Sequence, residues 1–285
     1  MGRRREVQWA LGQLAHGRTG IGGLVIHGMG GLGKSSLAAR LAERLPQHRC
    51  LVLAGLVDEP ALQQLVANGL GPEAAALVAN SGAPLAQRLR RLLQAFPAPL
   101  LFLFDDFDPN LELSGAVPDL DSRGRGRLRP GATHVMQALA EAIRAQTSQS
   151  RVLITCRHPL ALDGVRGRIG HLGLQGLQGD GLDKMIRRLP RISQRAEDDP
   201  VRARALDLAG GNPALLRRVD AALVGQMCDA RQVVAEMEAA VDDFRTTIGV
   251  GVLYSSLPTG ARTTLATLTV CRQPVDREVA LLVTG

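Results

Sequence analysis

Aromatic side chains are nearly missing from this chain of 285 residues, which has one Trp, one Tyr and five Phe. A core must therefore be built from Leu, Val, Ile and Ala, and an apolar fraction of 45% is ample for that. The same shortage argues against single-strand nucleic-acid binding by base stacking, which needs aromatic platforms. Cysteine is sparse too. Cys50, Cys156, Cys228 and Cys271 show neither metal-ligand spacing nor a clustered framework, so reduced thiols in a cytoplasmic protein are the simplest account. No apolar run approaches the length of a membrane span. The start MGRRRE is basic like the opening of a signal peptide, but VQWALGQLAHGRTG follows without an unbroken apolar stretch, so secretion is not expected. Lysine is the scarcest charge. Of 34 basic residues only Lys34 and Lys184 are Lys. The net charge of +7 comes from scattered Arg, which reads as compositional bias more than as a nucleic-acid surface. The length allows one large domain or two modest ones.

One of the two lysines stands in the most informative stretch. Gly28-Met29-Gly30-Gly31-Leu32-Gly33-Lys34-Ser35 fits G-x-x-x-x-G-K-[ST], the phosphate-binding loop. Leu24-Val25-Ile26 before it reads as a buried strand, and Leu37, Ala38, Leu41, Ala42 and Leu45 after it mark one face of a helix. Glycines let several backbone N–H groups point at one anion, and the helix N-terminus adds its positive end. A chain that otherwise uses Arg puts Lys at position 34, where a compact ammonium fits and a planar guanidinium does not. Lys34 can then neutralise β/γ-phosphate charge, and Ser35 can offer its hydroxyl to Mg²⁺.

Residues 2–16 read as a helix with Val7, Ala10, Leu11 and Leu14 on one face. A second strand is expected over Arg49–Leu56, then helical segments from Pro60 to Phe96 broken near Gly69–Pro72 and Ser81–Pro84, with a packing stripe of Leu85, Leu89, Leu92 and Leu93. The third strand, Leu100 to Phe104, is apolar throughout, as a strand buried on both faces of a parallel sheet is, and runs into Asp105-Asp106. Carboxylates at that end sit where parallel sheets bind ligands. Following a phosphate loop, one Asp can hold Mg²⁺ and the other can orient or deprotonate an attacking water. Residues 118–131, PDLDSRGRGRLRPG, read as a solvated flexible loop, although Arg123, Arg125, Arg127 and Arg129 there could touch an acidic partner. A helix is expected over Thr133–Gln146. A fourth strand, Arg151 to Ile154, ends in Thr155-Cys156-Arg157, where Arg157 either senses a γ-phosphate or caps the strand in an ion pair. A fifth strand falls within Ile169–Leu177. After it the pattern is helical: Gly179–Leu189 closed by Pro190, Arg202–Leu208, a helix opening at Pro213, then Val233–Phe244 and Ala261–Leu268. The phrase SLPTGARTTLATLTV resembles the opening of a winged helix.

Together these landmarks resemble the STAND class of signal-transducing P-loop ATPases, and within it the NB-ARC branch, in a form that looks bacterial. GMGGLGKSS is close to that family's loop, LLFLFDD to its acidic strand, RVLITCR to its sensor strand with Cys156 in place of the middle Thr, GGNPALL to its Gly-x-Pro motif, and GRRREV to its Gly-Arg-x-x-Glu lead-in. The resemblance implies an α/β P-loop NTPase fold with a mostly parallel five-stranded sheet over residues 1–178. A helical domain would follow over 179–245 and a partial winged helix over 246–285. It implies ATP/ADP and Mg²⁺ as cofactors. Gly28, Met29, Gly30, Gly31, Leu32, Gly33, Lys34, Ser35 and Ser36 would take the phosphates, and Gly2, Arg3 and Pro213 would lie near the base. Lys34, Asp105, Asp106 and Arg157 would act in slow hydrolysis, with Ser35 and Asp105 on the metal. It further implies a switch that forms homo-oligomers in the ATP state, with effector and sensor domains outside this chain. No Met-His-Asp type motif is visible before Gly285, which suggests the central module of a larger protein or a shortened relative. No Asn-Lys-x-Asp motif is present, which favours adenine over guanine. Two other readings stay open: an AAA+ ATPase acting on DNA, for which Arg217 and Arg218 would matter, and a scaffold that holds ADP without turnover.

Overall fold

The computed structural model describes residues 2–15, 21–79, 82–114, 117–145, 149–162 and 168–223, with 235, 238 and 239. The expected helices beyond Val233 and the winged helix lie essentially outside these residues. Helix α1 (Arg4–Ala15) leads to strand β1 (Ile21–His27) and helix α2 (Lys34–Glu43). Strand β2 (Arg49–Ala54) is followed by α3 (Glu59–Leu70), α4 (Pro72–Ala79) and α5 (Leu85–Ala95), broken where the Gly and Pro residues predicted. Strand β3 (Leu100–Asp105) precedes a short hairpin, β4 (Leu113–Ser114) with β5 (Val117–Pro118), and helix α6 (Pro130–Ala145). Then come β6 (Arg151–Cys156) and β7 (Arg168–Gly173), and helices α7 (Asp180–Ile186), α8 (Pro190–Ser193), α9 (Pro200–Ala209) and α10 (Pro213–Ala222).

The main sheet has five strands in the order β2-β3-β6-β1-β7, all paired in parallel. Every strand therefore ends on one edge, and the segments after β1, β3 and β6 meet there. Strand β6 lies between β1 and β3, so the acidic strand end is one strand removed from the glycine loop, with Thr155 and Cys156 between them. The central strands are apolar because they are covered twice. Leu100, Leu101, Phe102 and Phe104 are fully buried. One face packs Val25, Phe102, Phe104 and Ile154 against Leu62, Leu89, Leu92, Val135 and Leu139 from α3, α5 and α6. The other packs Leu24, Ile26, Leu103 and Leu153 against Ala10 and Leu14 of α1 and Leu37 and Leu41 of α2. Burying each large side chain contributes about 1.5–3 kcal/mol, so the two layers fix the sheet edge firmly. Arg151, itself buried, donates from Nε to the Leu14 carbonyl at the end of α1 (3.0 Å).

Two expectations change. Residues 118–131 are ordered rather than flexible. Asp121 accepts from the Arg123 and Arg125 backbone N–H groups and from the Arg125 guanidinium, and these bonds hold its carboxyl down at about 2. Gly126 pairs with Leu120 and Leu160, and Leu128 with Leu111. Arg125 and Arg127 are engaged by Asp121 and Asp119 rather than held out for an acidic partner. Pro190 opens α8 instead of closing the preceding helix, as its fixed φ and missing N–H suit a first turn. A third apolar cluster, with Ile192, Ala205, Leu216 and Val219, is formed by α8, α9 and α10 and stands apart from the two sheet faces. No helix among the described residues is long and apolar enough to cross a membrane.

Candidate functional site

The glycine loop leaves β1 at Gly28 and enters α2 at Lys34. Gly28 has φ 140°, and a Cβ there would sit 2.7 Å from the Leu174 carbonyl, so both backbone angle and space require glycine. Gly33, with φ 88°, is the N-cap of α2 and supplies no side-chain cap, so the first-turn N–H groups keep their donors for another acceptor. Ser35 and Ser36 are exposed on that first turn. Lys34 folds back so that its Nζ donates to the carbonyls of Gly28 (2.9 Å) and Met29 (3.2 Å). Partial burial lowers its pKa most, Asp108 opposes this and Arg157 adds to it. The uncapped first turn of α2 and the one cation that the loop's own carbonyls hold thus stand together, an arrangement that suits a polyphosphate.

The other two strand ends meet this loop. The Gly28 N–H donates to the Arg157 carbonyl (3.2 Å), which joins the loop to the end of β6. Thr155 bridges β6 and β3: its hydroxyl donates to Asp105 Oδ1 (2.5 Å) and accepts from the Asp106 N–H (3.0 Å). Asp106 has φ 51°, the one positive φ outside glycine among the described residues, and Asp tolerates this better than most side chains. Asp106 is exposed at this edge. Burial raises its pKa most, then Asp108, and Asp105 adds to this while Arg157 and Lys34 pull the other way. A carboxylate made more basic than usual beside a cation is suited to accept a proton or hold a water.

Asp108 and Asn110 carry more of this site than the sequence suggested. The buried Asp108 carboxylate accepts the Arg157 N–H through both oxygens (3.1 and 3.3 Å) and is the largest carboxylate influence on Lys34. Burial, with Asp108 second, pushes the Cys156 thiol far above its usual range, so Cys156 is a buried neutral side chain. Asn110, 1% exposed, accepts from the Val57 N–H (2.7 Å) and donates to the carbonyls of Gly55 (2.8 Å) and Phe107 (3.1 Å), tying the end of β2 to that of β3. A third Asp soon after the pair was the only sequence signal for the first. Nothing local pointed to the second. Beside the loop, His27 meets His171 of β7 edge to face at 5.9 Å, and burial followed by nearby cations lowers both pKa values.

The terminal motifs also arrive here. Arg3 donates to the carbonyls of Leu32 (3.2 Å) and Gln175 (2.6 Å) and pairs with Glu6 at 3.0 Å. Gly2 packs backbone to backbone on Gly181. Pro213 opens α10, and Asn212 just before it reaches the loop at Gly30. The structure thus gathers Gly28–Ser36, Asp105, Asp106, Arg157, Arg3 and the turn before Pro213 at one edge. Among the described residues no group of three or more His, Cys, Asp or Glu side chains forms a metal cluster. A cation here would depend on Ser35, Asp105 and a phosphate together, and the hydroxyl and carboxylate are the hard oxygen donors Mg²⁺ takes.

Residues 1–156, from the first helix through β6, match the family model described as AAA ATPase domain. The chain belongs to this family. Membership in the AAA ATPase domain family implies that the site binds nucleotide, and the matched segment holds the glycine loop and the acidic strand end. No curated protein matches the sequence. Among solved structures, a Walker-type ATPase of Pyrococcus abyssi aligns over all of this chain and 89% of its own, at 13% identity and TM-score 0.53, a likeness of fold. A Signal Transduction ATPase with Numerous Domains from Pyrococcus horikoshii, which has a tetratricopeptide repeat sensor, aligns at 16% identity and TM-score 0.49. This chain covers 39% of that protein's length. Domain III of the Thermotoga maritima replication initiation protein DnaA aligns over 84% of this chain and 92% of its own, at 14% identity and TM-score 0.43.

Proposed function

We propose that this AAA ATPase domain is a nucleotide-operated switch of the STAND, NB-ARC-like kind, set by ADP or ATP and turning over slowly. The carrying observation is that the turn Gly210-Gly211-Asn212, which starts α10, sits directly on the phosphate loop through Asn212 and Gly30. A change at the loop can therefore be felt by the helical segment. In this reading Gly28–Ser36 hold the phosphates and Lys34 neutralises β/γ charge. Ser35 and Asp105 hold Mg²⁺, which would screen phosphate charge and polarise the terminal phosphoryl group. Asp106 positions water and Arg157 registers the γ-phosphate. Arg3 and Pro213 lie toward the base, although Arg3 already donates to two carbonyls, which makes it a support of the loop as much as a base contact. We place the division between nucleotide-binding and helical domains near residue 178 and a second near 245, followed by a partial winged helix. Effector and sensor parts would belong to a larger protein working in the cytoplasm.

Light scattering of the purified chain with ADP, and with a non-hydrolysable ATP analogue, tests the switch. The expected result is a single-chain mass with ADP and a larger assembly with the analogue. The same mass in both states contradicts it.

A DNA-acting reading keeps one specific observation. Arg217 and Arg218 are exposed on α10, the helix that starts at the loop. Duplex binding that weakens steeply with salt would favour it.

A further inference from the structure

Five carbonyl groups of the phosphate loop have hydrogen-bond donors, and two of these donors, Arg3 and Asn212, come from outside the loop and its helix. Those of Gly28 and Met29 accept from Lys34 Nζ, that of Leu32 from Arg3, and that of Gly33 from the Leu37 N–H. The Gly30 carbonyl accepts from Asn212 Nδ2 at 2.9 Å, across 182 residues of sequence. Asn212 is 1% exposed, and its Oδ1 accepts from the Ala214 and Leu215 N–H groups, capping α10. One side chain therefore caps a helix with its oxygen and grips the loop with its nitrogen. The turn that carries it is set against the segment leaving β7. The Leu177 N–H donates to the Gly211 carbonyl (2.7 Å), and a Cβ on Gly176 would fall 2.1 Å from the Gly210 carbonyl. The turn cannot slide without losing the grip on Gly30.

The peptide after Gly30 is trans, so its C=O and the Gly31 N–H point in opposite directions. Holding the carbonyl toward Asn212 turns that N–H to the other side of the loop. We propose that Asn212 is a positioning residue: by fixing the Gly30–Gly31 peptide it sets one of the loop's anion donors, and it couples the seating of α10 to phosphate binding. This rests on the nucleotide reading of the loop. By reciprocity, whatever lifts α10 from the loop weakens phosphate binding, and phosphate binding seats α10.

Two variants of the full chain separate grip from cap. Asn212→Ser keeps a hydroxyl that can cap α10 and loses the amide that reaches Gly30, while Asn212→Ala loses both. ADP affinity is measured by calorimetry, backbone exchange over residues 28–33 by hydrogen–deuterium exchange without nucleotide, and stability by urea. Asn212→Ser is expected to bind ADP about tenfold more weakly, to exchange faster over 28–33 and to lose less of its urea midpoint than Asn212→Ala, because the cap of α10 is kept. Asn212→Ala should show the same affinity loss with a lower midpoint. Unchanged affinity and exchange in Asn212→Ser overturn the proposal. A wild-type chain that takes up no ADP overturns the nucleotide reading instead, and exchange over 28–33 still decides the grip by itself.

Discussion

Replacing Asp106 by Asn is expected to lower ATP turnover about 10²–10⁴-fold while nucleotide affinity stays within a few-fold of wild type. Asn is nearly isosteric with Asp and tolerates the positive φ at this position, and the N–H that donates to Thr155 belongs to the backbone and remains. What disappears is a carboxylate that can hold water or take its proton. The direction of its pKa gives a second readout. Burial and the neighbouring Asp108 raise it above the ordinary aspartate range, so the proton leaves at higher pH than from an exposed Asp. A base works only when deprotonated, so turnover should fall as pH drops through that raised value. The acid limb should vanish in the Asn variant. A variant with turnover and pH profile like wild type would remove Asp106 from the chemistry.

Lys34→Ala should weaken ATP and ADP binding about 10- to 100-fold, the worth of a charge-assisted contact of about 1.5–3 kcal/mol. The loss has two parts. A cation beside the phosphates is removed, and the carbonyls of Gly28 and Met29 lose the donor that holds them. Lys34→Arg should rescue little, because a planar guanidinium does not fit where a compact ammonium folds back on the loop. Titration with a fluorescent adenine nucleotide measures both variants. Affinity within twofold of wild type for Lys34→Ala would undo the assignment of the loop.

Local chemistry made most of the frame legible. The glycine loop announces itself because its spacing serves one kind of ligand, and the strand Leu100–Phe104 because only a doubly covered strand can be so apolar. The breaks expected near Gly69–Pro72 and Ser81–Pro84 fall between α3, α4 and α5, where Gly71 ends one helix and Pro72, with its fixed φ, opens the next. The missed features depend on partners distant in sequence. In the sequence Thr155 reads as part of a strand end, yet from β6 it holds both Asp105 and Asp106 at the end of the neighbouring β3, which only the strand order reveals. Asn110 and Asp108 look like loop polar residues until the ends of β2 and β6 come beside them. Pro213 reads as a helix start from sequence alone, but the cap that Asn212 provides and its hold on Gly30 come only from the fold. The ordered loop at 118–131 also carries a local signal: Asp121 stands two residues before Arg123-Gly124 and accepts from the backbone that follows it.

The most direct measurement denatures the purified protein, separates the released small molecules and identifies any nucleotide, with Lys34→Ala treated alongside. An adenine nucleotide, ADP foremost, at about one per chain from wild type and far less from the variant is the predicted result. A guanine nucleotide would contradict the adenine assignment. No released nucleotide, together with no binding of added ATP or ADP at millimolar concentration, would contradict the account at its centre.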